Sequence, residues 1–297
     1  MSRTCSPTTG KPYGIARVCR LSGYPRSSFY VQGGCRKGKP APVGKRGPKG
    51  AISDAELIEF IRRDLDQSPF HGEGHRKVWG RLKYGQGLRV SRKRVLRLMR
   101  EHHLLSPYRR PQGTPRQHTG EIITTAPNLM WGTDATKVFT LEDGYVWVFA
   151  AVEHWNGECV GWHVCKRGDR FAAMEPILMG LNKYFGSLRT DVARGLRLRM
   201  DHGTQYLSDH FQNQLRYWGI TPSFAFLEEP QTNGVVERFF RTLKEQVIYG
   251  DSFRNITELR QAIASFIHCY NHQWRLEKNG FLSPHQAREA WWTEAAA

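Results

Sequence analysis

Three acidic residues in three different settings are where this chain could do chemistry. Asp201 stands in Met200-Asp201-His202-Gly203-Thr204-Gln205-Tyr206, where an apolar segment (Leu196, Leu198, Met200) runs into an acid and a glycine. Glu237 follows after 35 intervening residues, in a stretch whose Val236, Phe239, Phe240, Leu243 and Val247 recur at helix spacing. That periodicity leaves Glu237, Arg241 and Lys244 together on the polar face. Asp134 lies upstream in Trp131-Gly132-Thr133-Asp134-Ala135-Thr136, a segment with strand propensity that continues through Val138, Phe139 and Thr140. One carboxylate in mid-strand, one at a strand end and one on a helix is a way to gather three anions at a point, and anions do not gather without a cation. Hard, oxygen-seeking divalent ions suit such a set. Two magnesium ions about 3.5–4 Å apart can activate a nucleophile and steady a leaving oxygen in phosphoryl transfer. Taken singly, each acid also has a plainer role. Asp134 could accept a hydrogen bond at a strand end, Asp201 could cap the next helix, and Glu237 could pair with Arg241 at i+4.

The elements that must position these acids follow from hydrophobic pattern and turn residues. Three strands are expected at 129–140, 145–153 and 159–165, joined by turns at Glu142-Asp143-Gly144 and Asn156-Gly157. A helix over 170–185 comes next, with Pro176 requiring it to kink or to start late. A strand over 195–200, a helix over 204–218, a strand over 220–226 and a helix over 234–248 complete the set. A last helix, capped by Asn255 with Glu258, presents Leu259, Ile263, Phe266, Ile267 and Tyr270 on one face. Other acids (Glu142, Asp143, Glu153, Asp209, Glu228 and Glu229) fall in expected turns, loops or a neighbouring strand. His202 is a candidate for contact with DNA or with a metal-ligating residue, a structural role being the plainer reading; Trp131, Phe239 and Phe240 read as core, and Asn233 with Gly234 as the entry to the Glu237 helix.

These residues carry a resemblance. Asp134, Asp201, a 35-residue interval, Glu237 and then Lys244 resemble the catalytic core of DDE transposases and retroviral-type integrases. The neighbouring words Asp201-His202-Gly203-Thr204-Gln205-Tyr206, Gln231-Thr232-Asn233-Gly234 and Glu237-Arg238-Phe239-Phe240-Arg241-Thr242-Leu243-Lys244 look most like the insertion sequence 3 family. The likeness spans nearly the whole chain and is strongest over 128–288. It implies a ribonuclease H-like mixed α/β sheet flanked by helices, preceded by a small all-α helix-turn-helix domain. It further implies that Asp134, Asp201 and Glu237 are both catalytic residues and ligands of two Mg²⁺ ions, with Mn²⁺ as a substitute. The implied activity is a DNA transposase that cuts a strand at each end of a mobile element and joins the freed 3′ hydroxyl to a second phosphodiester by direct transesterification. For this family the route passes through a single-strand bridge and a circle before integration. Two other classes stay open: a non-catalytic DNA-binding regulator that kept the fold, and a metal nuclease that cuts without joining.

The charge pattern fits a polyanionic partner. The 297 residues carry a formal charge of +17, yet residues 1–120 hold 26 Lys or Arg against 7 Asp or Glu, while 121–297 hold 18 against 20. The basic part therefore grips and the near-neutral part acts. Within the basic part, Ser53 with Glu56 forms a capping box for a helix carrying Leu57, Ile58, Ile61 and Leu65. A second helix over 75–84 turns Val78, Trp79 and Leu82 inward, and Gly85-Gln86-Gly87 breaks it. Ser91 caps a third, in which Val95, Leu98 and Met99 pack while Arg92, Lys93, Arg94, Arg97 and Arg100 stay outside. Five cations without an acid among them repel one another, so this helix is expected to meet nucleic acid. Arg92, Lys93, Arg94, Arg97, Arg100, Arg241 and Lys244 are accordingly the expected DNA contacts, Lys244 on the strength of the family likeness, with a solvated lysine as its alternative.

The expected organisation is a basic N-terminal arm with short helices and linker (1–50), the helix-turn-helix domain (51–106), a linker (107–127), the catalytic core (128–250) and a C-terminal helical segment (251–297). The arm holds two short helical patterns that could form a rudimentary helix-turn-helix, and its 33–50 stretch either lies along phosphates or serves as a solvated tether. The partners expected are double-stranded DNA (terminal inverted repeats and target), further copies of the chain on paired ends and an upstream reading-frame product. The chain looks like a downstream reading-frame product, since the first 120 residues show no sustained heptads. No membrane partner is expected: the longest apolar run, Val146 to Val152, falls far short of the roughly 20 residues a spanning helix needs, and the start is no signal peptide. Six cysteines at 5, 19, 35, 159, 165 and 269 show no CxxC or zinc spacing and read as cytosolic thiols, mostly buried or incidental, and the family likeness implies a bacterial cytosol.

Overall fold

The computed structural model describes residues 4–34, 52–106, 122–225 and 233–296. The basic stretch from 35 to 50, the linker from 107 to 120, Gln231, Thr232, Glu228 and Glu229 lie outside those residues. By its contacts the chain divides into Met1–Gly50 and Ala51–Ala297. The first unit contains α1 (Ile15–Leu21) and α2 (Arg26–Gly34).

The second unit begins with three helices. Helix α3 (Asp54–Gln67) starts at the capping box: Ser53 accepts from the Glu56 amide while Glu56 accepts from the Ser53 amide at 2.8 Å. Helix α4 (His75–Gly80) passes into a π-helical turn, Arg81–Gly85, so the single helix expected over 75–84 changes its winding halfway. Helix α5 (Arg92–Glu101) is capped by Ser91. Leu57, Ile58, Ile61, Val78, Leu82, Val95, Leu98 and Met99 form one buried cluster among the three.

The remainder is built on a five-stranded mixed sheet with order β3-β2-β1-β4-β5, where β1 is Met130–Thr140, β2 Gly144–Glu153, β3 Cys159–Cys165, β4 Arg197–Met200 and β5 Thr221–Phe224. The first three strands are antiparallel neighbours, and β4 and β5 join them in parallel. This is the ribonuclease H-like arrangement the family likeness implied. Side chains alternate across a strand, so β1 serves two cores. Trp131 and Ala135 face α6 (Arg170–Phe185), α7 (Thr204–Leu207) and α8 (Asp209–Tyr217), together with Leu198 and Met200 of β4. Val138, on the other face with Val146, Val148, Ala150 and Val152, packs under α9 (Gly234–Leu243) and α10 (Ile256–Gln273). A 3-10 turn, Glu277–Asn279, and α11 (Pro284–Ala296) close the chain.

Three more of the expected helices are refined. Helix α6 runs through Pro176 without starting late. Its carbonyl side comes so close to β3 that a Cβ on Gly161 would lie 1.9 Å from the Pro176 oxygen. The helix expected over 204–218 is two helices, because Ser208 takes an extended backbone and caps α8 by accepting from the Phe211 amide. The helix expected over 234–248 is α9 followed by a π-helical turn from Lys244 to Ile248.

Candidate functional site

The parallel register between β1 and β4 brings two of the acids together. Trp131 pairs with Leu198 and Gly132 with Arg199. Continued by two residues, the same offset sets Asp134 beside Asp201, where the chain leaves β4. Both residues lie out of phase with Trp131, Leu198 and Met200, so both point to the face covered by α9. The third acid reaches this face from the helix. Val236, Phe239, Phe240 and Leu243 bury one side of α9 against β1 and β2, leaving Glu237, Arg238 and Arg241 exposed. The start of α9 is tied to β1 by Asn233, whose side-chain amide donates to the Thr133 carbonyl at 3.4 Å.

The electrostatics record this convergence. Burial pushes the Asp134 carboxyl up to about 6; the anions of Asp201 and Glu237 add to the rise, while the Ala135 amide at 2.7 Å and the Lys244 ammonium oppose it. Glu237 is also raised, by burial. Asp201 accepts from the Gly203 amide at 3.0 Å, and Glu237 makes no hydrogen bond or ion pair among the described residues. As the side chains stand, no three acidic, histidine or cysteine groups among the described residues enclose an ion position. The donor set nonetheless fits a hard divalent cation: all its ligating atoms are carboxylate oxygens, and a cation among them would offset the burial and the added repulsion that raise Asp134.

The other expected contacts separate into paired and unpaired groups. Arg241 pairs with Glu245 at 2.9 Å and not with Glu237, so α9's own charges leave Glu237 without a partner. Lys244, where the winding changes, stays close enough for its charge to act on Asp134. On α5 the expectation that only a polyanion offsets the cations is revised. Arg94 and Arg97 both bond Asp54, at 2.7 and 2.5 Å, Arg97 also bonds Glu101 at 2.8 Å, and Arg92 pairs with Glu277 at 3.1 Å. Lys93 and Arg100 make no ion pair among the described residues. His202 stacks on Phe224 with ring centroids 5.3 Å apart, in keeping with a structural role.

Some groups at the site carry no sequence signal. His154 is buried, neither of its ring nitrogens has a hydrogen-bond partner among the described residues, and burial lowers it to about 4. It lies behind β1 next to Asn233: a Cβ on Gly132 would sit 3.0 Å from His154 Nε2 and 3.3 Å from Asn233 Oδ1. Only glycine at 132 lets these two polar groups close on the strand. Tyr206 is buried with its hydroxyl near Asp134 and Asp201, whose charges add to the burial that raises it. Its motif position is legible; its burial is not.

Comparison with known proteins bears on the fold and the family. Two models described as "Integrase core domain" match residues 124–226 and 218–284, and one described as "HTH-like domain" matches 54–112. The putative transposase InsK of insertion sequence element IS150 from Escherichia coli K12 is 27% identical over 273 residues, covering 87% of this chain and 88% of its own length. The transposase of insertion sequence element IS629 from Shigella sonnei is 26% identical over 292 residues, covering 94% and 93%. Transposase InsF of IS3A from Escherichia coli K12 is 27% identical over 167 residues, 56% of each chain. Among solved structures, the HTLV-2 integrase catalytic core domain in complex with magnesium covers 55% of this chain and 98% of its own at a TM-score of 0.42 and 17% identity, too distant to assign any residue a role. With integrase-core matches running on from an HTH-like segment, and relatives along nearly its whole length that are insertion-sequence transposases, the chain belongs to the DDE-type transposases of the insertion sequence 3 family.

Proposed function

We propose that this transposase cuts DNA at the ends of its mobile element and joins the freed 3′ hydroxyl to a second phosphodiester, with Asp134, Asp201 and Glu237 as its catalytic residues. The observation that carries this reading is the β1–β4 register, whose continuation by two residues would bring Asp134 beside Asp201, together with the charges of Asp201 and Glu237 acting on Asp134. Integrase-core enzymes are metal-dependent, and here the three carboxylates would hold two Mg²⁺ ions. When bound, such ions lower the barrier by activating the attacking oxygen and neutralising charge on the leaving one. The chain's own part is positional. Asp134 offers a half-buried carboxylate fixed by the strand, Asp201 one at the strand end, and Glu237 one on a helix braced by buried aromatics. Lys244 stands on the same side as a cation for the DNA backbone near the reacting phosphate. No serine, tyrosine or cysteine nucleophile is needed, so no covalent protein–DNA intermediate forms.

Helices α3 to α5 hold double-stranded DNA, terminal repeat or target, through Lys93, Arg100 and their neighbours. Several copies act together on paired ends, and the upstream reading-frame product is a further partner. A labelled duplex bearing the element's end, incubated with Mg²⁺ or Mn²⁺, tests the reading directly. Joined products support it, shortened strands alone indicate a nuclease, and joining that survives Glu237→Gln removes Glu237 from the catalytic set.

A further inference from the structure

Helices α4 and α5 begin close to each other, and an arginine from the first turn of each reaches the same carboxylate. Arg76 Nη1 lies 2.8 Å from Glu277 Oε2, and Arg92 Nη1 lies 3.1 Å from Glu277 Oε1. One oxygen is thus given to each guanidinium, a spacing that a phosphate group meets equally well with two of its oxygens. The charges at this spot also act on a neighbouring histidine. His75, beside Arg76, is held below the usual histidine range by burial first and then by the fields of Arg76, Arg92 and Arg100, with Glu277 the acid acting against them.

Glu277 reaches this place on a docked segment. It starts the 3-10 turn between Trp274 and Phe281. Phe281 lies against Trp79 and Tyr84, with ring centroids 5.3 and 5.6 Å away, in a notch that exists because residue 80 is glycine: a Cβ there would meet the Phe281 ring at 2.3 Å. Nearby, Gln246 accepts from the His71 amide and donates to its carbonyl, both at 2.8 Å. The aromatic anchor is buried, while Arg76, Arg92 and Glu277 are all about half exposed. The carboxylate is therefore the part of the contact that another anion can replace without undocking the segment.

We propose that Arg76 and Arg92 form a subsite for a DNA backbone phosphate, and that in the DNA-free chain the Glu277 carboxylate occupies it as a built-in competitor. This rests on the DNA-binding reading of α3–α5 and deepens it, adding Arg76 to the contacts and a gate from the C-terminal segment. Arg92 is then a phosphate contact whose charge DNA must win from Glu277.

The test is a titration of the full-length protein with a labelled duplex oligonucleotide at several salt concentrations. Glu277→Gln keeps the side chain's shape and should tighten binding about two- to fivefold at low salt, the size of an exposed ion pair. Arg76→Gln and Arg92→Gln should each weaken binding and reduce the slope of log affinity against log salt by about one. In the Arg76→Gln/Arg92→Gln background, Glu277→Gln should change nothing further. Unchanged affinity for Glu277→Gln alone overturns the proposal, as does equal tightening in the arginine-free background, which would report net charge and not a shared site. If Lys93→Gln and Arg100→Gln weaken binding while the Arg76 and Arg92 variants do not, this subsite falls and the helix-turn-helix reading stands. If none of the four weakens it, that reading falls with it.

Discussion

Two groups of carboxylates on this core differ in one respect, and the difference separates structure from chemistry. Beside the start of β1, Glu153 and Glu158 are fully buried and each accepts several hydrogen bonds. Glu158 accepts from Arg288 at 2.6 Å and Lys183 at 3.0 Å and bonds the Tyr184 hydroxyl, while Glu153 accepts from the Asn128 amide at 2.6 Å, the Trp155 amide at 3.1 Å and the Trp131 indole at 3.2 Å. Burial alone would raise Glu158, but Arg288, Lys183 and Tyr184 together hold it below the usual range. Glu153 ends up raised, because burial outweighs its neutral donors and the more distant Arg288. Three residues further along β1, Asp134 feels the charges of Asp201 and Glu237, with one lysine and two backbone amides near these acids. The fold supplies counter-charge where carboxylates pin α11 to the sheet and withholds it where they meet α9. That shortage of positive charge is what the proposed metal ions would make good.

The comparison breaks if the two clusters respond alike to neutralisation. Glu237→Gln should leave folding intact and reduce strand cutting and joining by at least about a thousandfold, the scale on which a single lost transition-state contact is felt. Product formation on a labelled element end, beside a thermal melt of the same sample, measures both. Glu158→Gln should do the reverse. It leaves the buried Arg288 guanidinium with only the distant Glu153 for charge, at 3.5 Å, and should cost about 3–5 kcal/mol in urea unfolding, with activity falling only as the folded fraction falls. A Glu158 variant that stays stable but inactive would place chemistry at the wrong cluster.

What could be read from the residues alone follows the same divide. The acids of the site lie in local patterns: Asp134 in a β-propensity run, Asp201 after three alternating apolar residues, Glu237 on the polar side of a strongly amphipathic helix. Each pattern survives folding because the apolar residues beside it go to the core. Glu153 reads only as an acid of a neighbouring strand and Glu158 carries no signal at all, since Arg288 is 130 residues beyond Glu158 and no local period predicts that bond. The same limit explains α5. Arg94 and Arg97 look unopposed until Asp54, at the start of α3, folds back onto them at 2.7 and 2.5 Å. The helix breaks at Ser208 and Lys244 leave no mark in the sequence for another reason. A helix split or a π-helical turn leaves the apolar spacing nearly unchanged, and only the backbone geometry reveals it.

A smaller effect sharpens the contrast through pH. The folded Asp134 carboxyl titrates at about 6 against 3.8 for the free group, so the unfolded chain gives up that proton first as pH rises. Its contribution to stability is therefore neutral below about pH 4, becomes unfavourable between about pH 4 and 6, and reaches roughly 3 kcal/mol of destabilisation above that. Asp134→Asn should stabilise the metal-free chain by about 2–3 kcal/mol at neutral pH and by nothing near pH 3, as measured by urea unfolding across that range. Glu158→Asp or Glu158→Gln should show no such gain at any pH, because that carboxylate is held in its charged form.

The smallest expected change is the one that identifies the missing counter-charge. A cation bound only by the folded chain at about ten times its dissociation constant adds about 1.4 kcal/mol. Saturating Mg²⁺ should therefore raise the melting temperature of the wild-type chain by a few degrees, as should Mn²⁺. The gain should vanish in Asp134→Asn, whose own melting temperature is higher, and persist in Glu158→Gln, whose own is lower. That crossing of signs cannot come from general ionic strength, which would shift all three proteins together. A magnesium response that survives in Asp134→Asn would show the ion bound elsewhere, and the acids under α9 would then need another explanation for their unanswered charge.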